Sequence, residues 1–470
     1  MKKKFGTVIM ATAMACTICT SAVLATGCGN KIPDFVMPPE GFDTEAKVTI
    51  NFAHTMGQDL RKVLETYIEQ FQELYPNITV KNEQVGGYDD VRSTIITKIN
   101  AGQQPNLAYC YPDHVAMFNQ SGAVLPLNGF LPDGEYKDMT VTRADGVEES
   151  LGFTEEQKSM FIEGYWNEGY LFDDGSKMYT LPFSKSTEVL YYNKTFFEEN
   201  DIKVPTTWEE MEQVCAKIKE LKPECTPLGY DSEANWFITM CEQHESPYTS
   251  SDGDHFLFDN AKNREFVTTL KGWYEKGYFI TQEINKAYTS NLFKNQTSYM
   301  CIGSSAGAKN QSPERVDGKY PFEVGVASIP QVHPEKPKVI SQGPSICIFK
   351  QDDPQEVIAS VLLAKFLTTS IGFQAQFSSV SGYVPVITTV MENETYKKNL
   401  DDANGYGNLT YLAAKVCMDQ ASAYYTSPAF AGSSKAREQV GYLMQAVFTE
   451  TKTIDKAFKD AVDECKYAVG

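Results

Sequence analysis

Histidine is scarce in this chain: His54, His114, His244, His255 and His333 are the only five in 470 residues. No two of them stand four apart, so the helical zinc-hydrolase motif is absent. Basic charge is also short, with 42 Lys and Arg against 61 Asp and Glu, a net charge of −19. Neutralising phosphates needs the opposite balance, so sequence-independent binding to nucleic acid is not expected. Past Cys28 there is no Cys-x-x-Cys pair, which leaves zinc ribbons and dithiol redox centres without support. Mean hydropathy of −0.34 and 22% charged residues describe a soluble globular chain, and exclude a polytopic membrane protein or a disordered one. At roughly 150 residues per domain, the length suggests two or three domains.

What charge there is lies unevenly. Lys2, Lys3 and Lys4 are the only charges before Lys31, so residues 1–27 carry +3 and the remainder carries −19 − 3 = −22. A basic start, an uncharged stretch from Phe5 to Asn30 and small residues near Cys28 describe an export signal over residues 1–27. The uncharged run is also long enough for a single spanning anchor, although its many Thr, Ser, Gly and Ala residues make a mediocre one. Leu24-Ala25-Thr26-Gly27-Cys28 resembles a bacterial lipobox, with Ala25 where the pattern prefers Leu. That resemblance implies lipidation of Cys28 and an extracytoplasmic, membrane-anchored protein, two acyl chains being enough for stable anchoring. Residues 28–46, with Pro33, Pro38, Pro39 and Gly41, read as a tether. Cys110, Cys301 and Cys347 sit in apolar runs and read as small buried hydrophobes, while a Cys215–Cys225 or Cys225–Cys241 bridge stays open.

The body opens with a strand at Val48–Thr55, then a stripe of Leu60, Val63, Leu64, Ile68 and Phe71 at helical spacing. A strand at Ile78–Val85, a helix carrying Val91, Ile95 and Ile99, and a strand at Asn106–Tyr111 follow. This alternation predicts a parallel α/β sheet, whose carboxyl strand ends are where such sheets hold ligands. Residues 132–177 are acidic and turn-rich, and read as excursions on the same lobe. Thr207-Trp208-Glu209-Glu210 is a capping box that opens a helix, and Pro354 opens another.

In this order, LPFSKSTEVLYYNK, PTTWEEM, IGSSAG, FEVGVASIPQ and SGYVP resemble the family 1 extracellular solute-binding proteins of ABC importers. The likeness spans residues 47 to 450 and covers the group that includes maltose-binding and glycerol-phosphate-binding proteins. It implies an α/β, two-lobed, periplasmic-binding-protein-like fold of type II with three hinge crossings, closing over solute. The crossings are expected at Phe183–Ser186, Arg315–Tyr320 and Leu367–Ile371. Lobe 1 is thus expected to comprise residues 47–184 and 318–368, and lobe 2 residues 185–317 and 369–470.

The family's cleft positions map onto several residues here, each with an ordinary alternative. Tyr88 either lays its ring on solute or covers its own lobe. Tyr111 and Asp113 end the third strand, where Asp113 either accepts from hydroxyls or caps a helix. Ser184 and Ser186 at the first crossing either donate to solute or bond backbone. Asn235 and Trp236 lie where the family often places a cleft aromatic, and a Trp face suits a pyranose; core packing is the alternative. Gly303, Ser304 and Ser305, and likewise Gly343 and Ser345, form turns whose N–H groups can point at oxygen-rich ligands. Tyr383, in SGYVP, matches a solute-touching position, and Arg437 either pairs with phosphate or carboxylate or forms a surface ion pair.

No catalytic residue, metal or cofactor is expected. The resemblance implies the binding component of an ABC transporter: a monomer that captures a sugar, or a sugar or glycerol phosphate, and delivers it to permease subunits. Two other classes fit more loosely: a secreted glycoside hydrolase, which needs two carboxylates at a set separation, and a surface adhesin.

Overall fold

The computed structural model describes residues 32–469. The export signal over residues 1–27 and the lipidation position Cys28 lie outside the described residues. In chain order the strands are β1 Val48–His54, β2 Ile78–Gln84, β3 Leu107–Cys110, β4 Thr140–Thr142, β5 Glu148–Ser150, β6 Leu181–Pro182 and β7 Ser186–Asn193. They continue with β8 Leu228–Tyr230, β9 Phe279–Thr281, β10 Met300–Ser304, β11 Val324–Ser328, β12 Val339–Gln342, β13 Ser345–Ile348 and β14 Tyr424–Tyr425.

Two larger sheets organise the molecule. The first runs β2-β1-β3-β13-β6, with β1 parallel to β2 and β3 and with β13 antiparallel to β3 and β6. The second runs β14-β12-β7-β10-β8-β9, with β11 also pairing with β7. Each has apolar cores of its own. Ile50, Phe52, Leu64 and Phe71 pack with helix Pro354–Thr369 on the first. Trp236, Phe237, Leu443 and Phe458 pack on the second. The expected capping box forms: the Glu210 N–H donates to Thr207 Oγ1 at 3.1 Å, and Glu210 Oε2 accepts from the Thr207 N–H at 3.3 Å.

The chain passes from the first sheet to the second between Pro182 and Ser186, and back across Gly343–Pro344. This return corrects the crossing expected at Arg315–Tyr320, because β11 and β12 come later and still pair with β7. The crossing expected at Leu367–Ile371 is also corrected. Helix Ile371–Ser381 stays on the first core through Phe373 and Phe377, and Val386, Tyr396 and Leu400 follow it there. Val384 touches the second half in passing, and beyond residue 400 the chain joins it, with Leu409, Ala413 and Cys417 packing against Val189 and Tyr191.

Residues 32–46 are not a free tether. Phe42 is buried in the first core, Phe35 stacks at 5.6 Å on Phe130, and Asp34 pairs with Lys350 at 2.6 Å. Proline content indicated a spacer, but the two aromatic side chains pin this segment to the first lobe. The eight cysteines of the described residues are free thiols and all buried.

Candidate functional site

Between the two sheets lies a cavity of about 1020 Å³. It opens at the carboxyl end of β3, where Tyr111 precedes helix Pro112–Asn119, and beside Tyr88, which starts helix Tyr88–Asn100. The rings of Tyr88 and Tyr111 lie 4.3 Å apart, and the Tyr88 and Tyr383 hydroxyls lie 3.5 Å apart. Tyr109 backs them, its hydroxyl 2.9 Å from Ser184 Oγ. Burial pushes the Tyr88, Tyr111 and Tyr383 hydroxyls above the usual tyrosine range, so all three stay neutral donors.

The opposite wall is polar and comes from the second half of the molecule. Helix Glu233–Gln243, capped by Ser232, carries Asn235; helix Ser433–Phe448 carries Arg437; β12 ends in Gln342. Asn235 and Gln342 face each other as two amides: each Nδ2 or Nε2 donates to the other's oxygen at 3.0 Å. The Asn235 oxygen also accepts from Arg437 Nη2, and its nitrogen donates at 2.9 Å to Glu188 on β7. Asn235 therefore uses its full donor and acceptor capacity inside the protein.

Two other cations on the cavity wall are neutralised locally, Arg92 by Asp89 at 3.0 Å and Lys435 by Glu438 at 2.9 Å. Arg437, half-buried, has no carboxylate in ion-pair contact among the described residues. A guanidinium has five N–H donors in a planar fork, and the bond to Asn235 uses one of those that Arg437 brings to the cavity wall. The wall's acids are largely engaged. Asp113 accepts at 2.5 Å from the Ser434 hydroxyl, a bond that joins the two halves. Asp231 accepts at 2.8 Å from the Thr289 N–H. Burial raises the carboxyls of Asp231 and Glu233 above their ordinary range.

At the base of the cavity the crossings meet. Lys185, fully buried, pairs with Glu168 and donates to the Gly343 carbonyl at 3.1 Å and to Ser345 Oγ at 2.9 Å. Its backbone bonds reciprocally with Val384, and the second Glu168 oxygen accepts from Thr426 Oγ1 at 3.0 Å. Gly343 is required here: its φ is +101°, and a Cβ would stand 2.5 Å from the Ser184 carbonyl.

Of the residues expected from sequence, Tyr88, Tyr111, Asp113, Gly343 and Arg437 line the cavity. Asn235 lies directly beneath Arg437, and Tyr383 lies behind Tyr88. The others do not line it. Trp236 is fully buried, stacked 4.4 Å from Tyr230 in the second core, because its side of the helix faces the sheet. Ser184 and Ser186 are buried at the crossing. The Gly303–Ser305 turn is likewise interior. The Ser304 oxygen accepts from the Tyr191 hydroxyl at 3.0 Å, Ser305 Oγ accepts from the Thr187 N–H at 3.2 Å, and Gly303 abuts Asp231. Ser345 is taken by Lys185 and Glu168. Gln342, Glu168, Ser434 and Glu188 were not anticipated. Glu188 left one readable signal, a lone acid inside the otherwise uncharged strand STEVLYYN.

Among the described residues no group of three or more His, Cys, Asp or Glu is placed to hold a metal ion. A family model described as bacterial extracellular solute-binding protein matches residues 66–402, well over half of the chain. The sn-glycerol-3-phosphate-binding periplasmic protein UgpB of Salmonella typhimurium is 21% identical over 434 residues, covering 89% of this chain and 92% of that one. The crystal structure of UgpB from Mycobacterium tuberculosis in complex with glycerophosphocholine superposes with a TM-score of 0.69 at 16% identity. That match covers 90% of this chain and 98% of the other. The sugar-binding protein MalE of Xanthomonas citri gives 0.70 at 18% identity, over 89% and 97%. These likenesses establish the two-lobed fold of this class.

Proposed function

The chain belongs to the bacterial extracellular solute-binding proteins, and from that premise we propose that it is the substrate-binding component of an ABC importer. Its solute is a small polyhydroxylated molecule with an anionic group, in the class of glycerol phosphates, glycerophosphodiesters and sugar phosphates. The observation that carries this is Arg437: a half-buried guanidinium on the cavity wall with no carboxylate partner among the described residues, set against tyrosine rings that suit a carbon–hydroxyl skeleton. The relatives named for glycerol phosphate and glycerophosphocholine support the same class.

Capture works by closure. Tyr88 and Tyr111 come from one lobe and Arg437 and Gln342 from the other, so solute makes its full set of contacts only when both walls reach it. A ligand with that differential affinity shifts the population toward the closed form, which a permease can then read. A neutral saccharide is the second reading, favoured by the tyrosine wall and by the MalE likeness. On this reading the protein acts as a monomer held on the extracytoplasmic side of the cell membrane by lipid on Cys28, after loss of residues 1–27; Cys28→Ser should then release it from the membrane fraction.

The test is calorimetric titration of the purified protein with glycerol 3-phosphate, glycerophosphocholine, sugar phosphates and neutral oligosaccharides, with product assayed in parallel. Stoichiometric, saturable heat with a phosphorylated solute and no turnover is the expected result. Tight binding of neutral sugars alone would move the assignment to the second reading. Released product would make the protein a hydrolase, and absence of any small-solute binding would favour an adhesin.

A further inference from the structure

We propose that Glu188 is a positioning residue for Arg437, and that an anionic solute pairing with Arg437 binds together with one proton, taken up from solvent by the Glu188 carboxylate. This rests on the reading of Arg437 as the anion-pairing group.

The geometry is a three-member relay. Glu188 lies on β7, 1% exposed, with Oε2 accepting from the Tyr230 hydroxyl at 2.5 Å and Oε1 accepting from Asn235 Nδ2 at 2.9 Å. The same Asn235 side chain accepts from Arg437 Nη2. Among the described residues Glu188 therefore has no cation in contact; its balancing charge stands one amide away, on the cavity wall. Gln342 closes the relay from the side and fixes the Asn235 amide plane.

The groups facing Glu188 come from several elements. Arg437, on helix Ser433–Phe448, is the charge that favours ionisation, and Asp231, at the end of β8, opposes it. Tyr230 on β8 and Cys301 on β10 are buried, Tyr425 on β14 is half-buried, and all three are neutral. The flanking strands β11 and β12 bring no charged residue. Desolvation dominates, and holds the carboxyl up at about 7.

A phosphate on Arg437 offsets the positive potential that favours the Glu188 carboxylate and adds a negative one. The carboxylate then gains a proton, which donates to the Tyr230 oxygen, since a phenol hydroxyl can turn from donor to acceptor. Charge balances: one solute anion and one proton enter together. By linkage, affinity falls as pH rises above the solute-free midpoint, by up to about tenfold per pH unit.

The test uses glycerophosphocholine, a phosphodiester without the second ionisation near about pH 6 that a phosphomonoester has. It is titrated into the purified protein from acid to alkaline pH in two buffers of different ionisation enthalpy. Expected are proton uptake approaching one per solute above neutrality and weakening affinity with rising pH. Glu188→Gln should show no uptake and a flat profile. Binding without proton uptake in the native protein overturns the proposal. A second arm needs no solute: the Glu188 carboxyl is titrated by carbon NMR in the native protein and in Arg437→Gln. Loss of the guanidinium should raise the midpoint, and an unchanged midpoint overturns the coupling. If glycerophosphocholine does not bind at all, the phosphodiester assignment fails, and this second arm alone decides the relay.

Discussion

Lobe 1 meets the cavity with tyrosine rings beside the paired Asp89 and Arg92 and the bonded Asp113, and lobe 2 meets it with a bonded polar layer. On the first side Tyr88, Tyr109, Tyr111 and Tyr383 pack on one another and on Phe183, with hydroxyls as their only polar atoms. On the second, Gln342, Asn235 and Glu188 satisfy one another, leaving Arg437 with donors to spare. A ring wall selects by shape and contact area and tolerates many skeletons. A closed polar network selects by what its one unspent group demands. On the proposed reading the two walls divide recognition: lobe 1 sets what skeleton fits, and lobe 2 sets what charge it must carry.

That division can be broken piece by piece. The largest effect belongs to Trp236, which lies behind the polar wall and not in it. Trp236→Ala should cost about 3–5 kcal/mol of folding stability in denaturant titrations. Solute affinity of the remaining folded protein should change far less; a selective loss of affinity would put Trp236 in the cleft. Next is Arg437→Met, expected to weaken a phosphorylated solute by about 2–4 kcal/mol, roughly 30- to 1000-fold. Its melting temperature should stay within a few degrees, and loss of neutral-sugar binding to the same degree would erase the contrast between walls. Tyr111→Leu should cost about 1 kcal/mol for phosphorylated and neutral solutes alike, read by the same calorimetry.

The smallest expected effect is a pH response of opposite sign in the two lobes. In lobe 1, burial lowers the His54 imidazole from 6.5 to about 4, with its Nδ1 already accepting from the Met56 N–H at 3.2 Å. The folded state then binds fewer protons than the unfolded one between those values, so stability falls as pH drops through that window. Glu188 in lobe 2, raised from 4.5 to about 7, does the reverse: its folded form holds the proton, and stability falls as pH rises from 4.5 to 7. The two slopes oppose each other, so unfolding midpoints of the native protein should vary little where the windows overlap. Glu188→Gln should unmask the rising limb of His54, and an unchanged slope would mean that Glu188 is ionised throughout.

Much of lobe 1 was legible in the sequence because its signals are local. β1, β2 and β3 with their two intervening helices follow from apolar spacing, and the observed ends fall within a residue or two of expectation. The crossings were less legible, since β11 and β12 read as strands in either lobe; only pairing with β7 decides. The site divided likewise. Tyr88, Tyr111 and Asp113 sit at strand ends, where topology alone points to a ligand. Trp236 and Arg437 are helical, and spacing does not say which side of a helix meets a sheet and which meets a cleft. Trp236 went inward to stack on Tyr230, from a strand that ends six residues earlier. Arg437 went outward, held by an asparagine 202 residues away.

The most direct test of the divided cleft is a titration of the native protein and of Arg437→Met with glycerophosphocholine and with a neutral disaccharide. The native protein should bind the phosphodiester and lose at least about thirtyfold in affinity on substitution, with any disaccharide binding nearly unchanged. Equal affinity of both proteins for the phosphodiester would contradict the assignment of charge recognition to lobe 2.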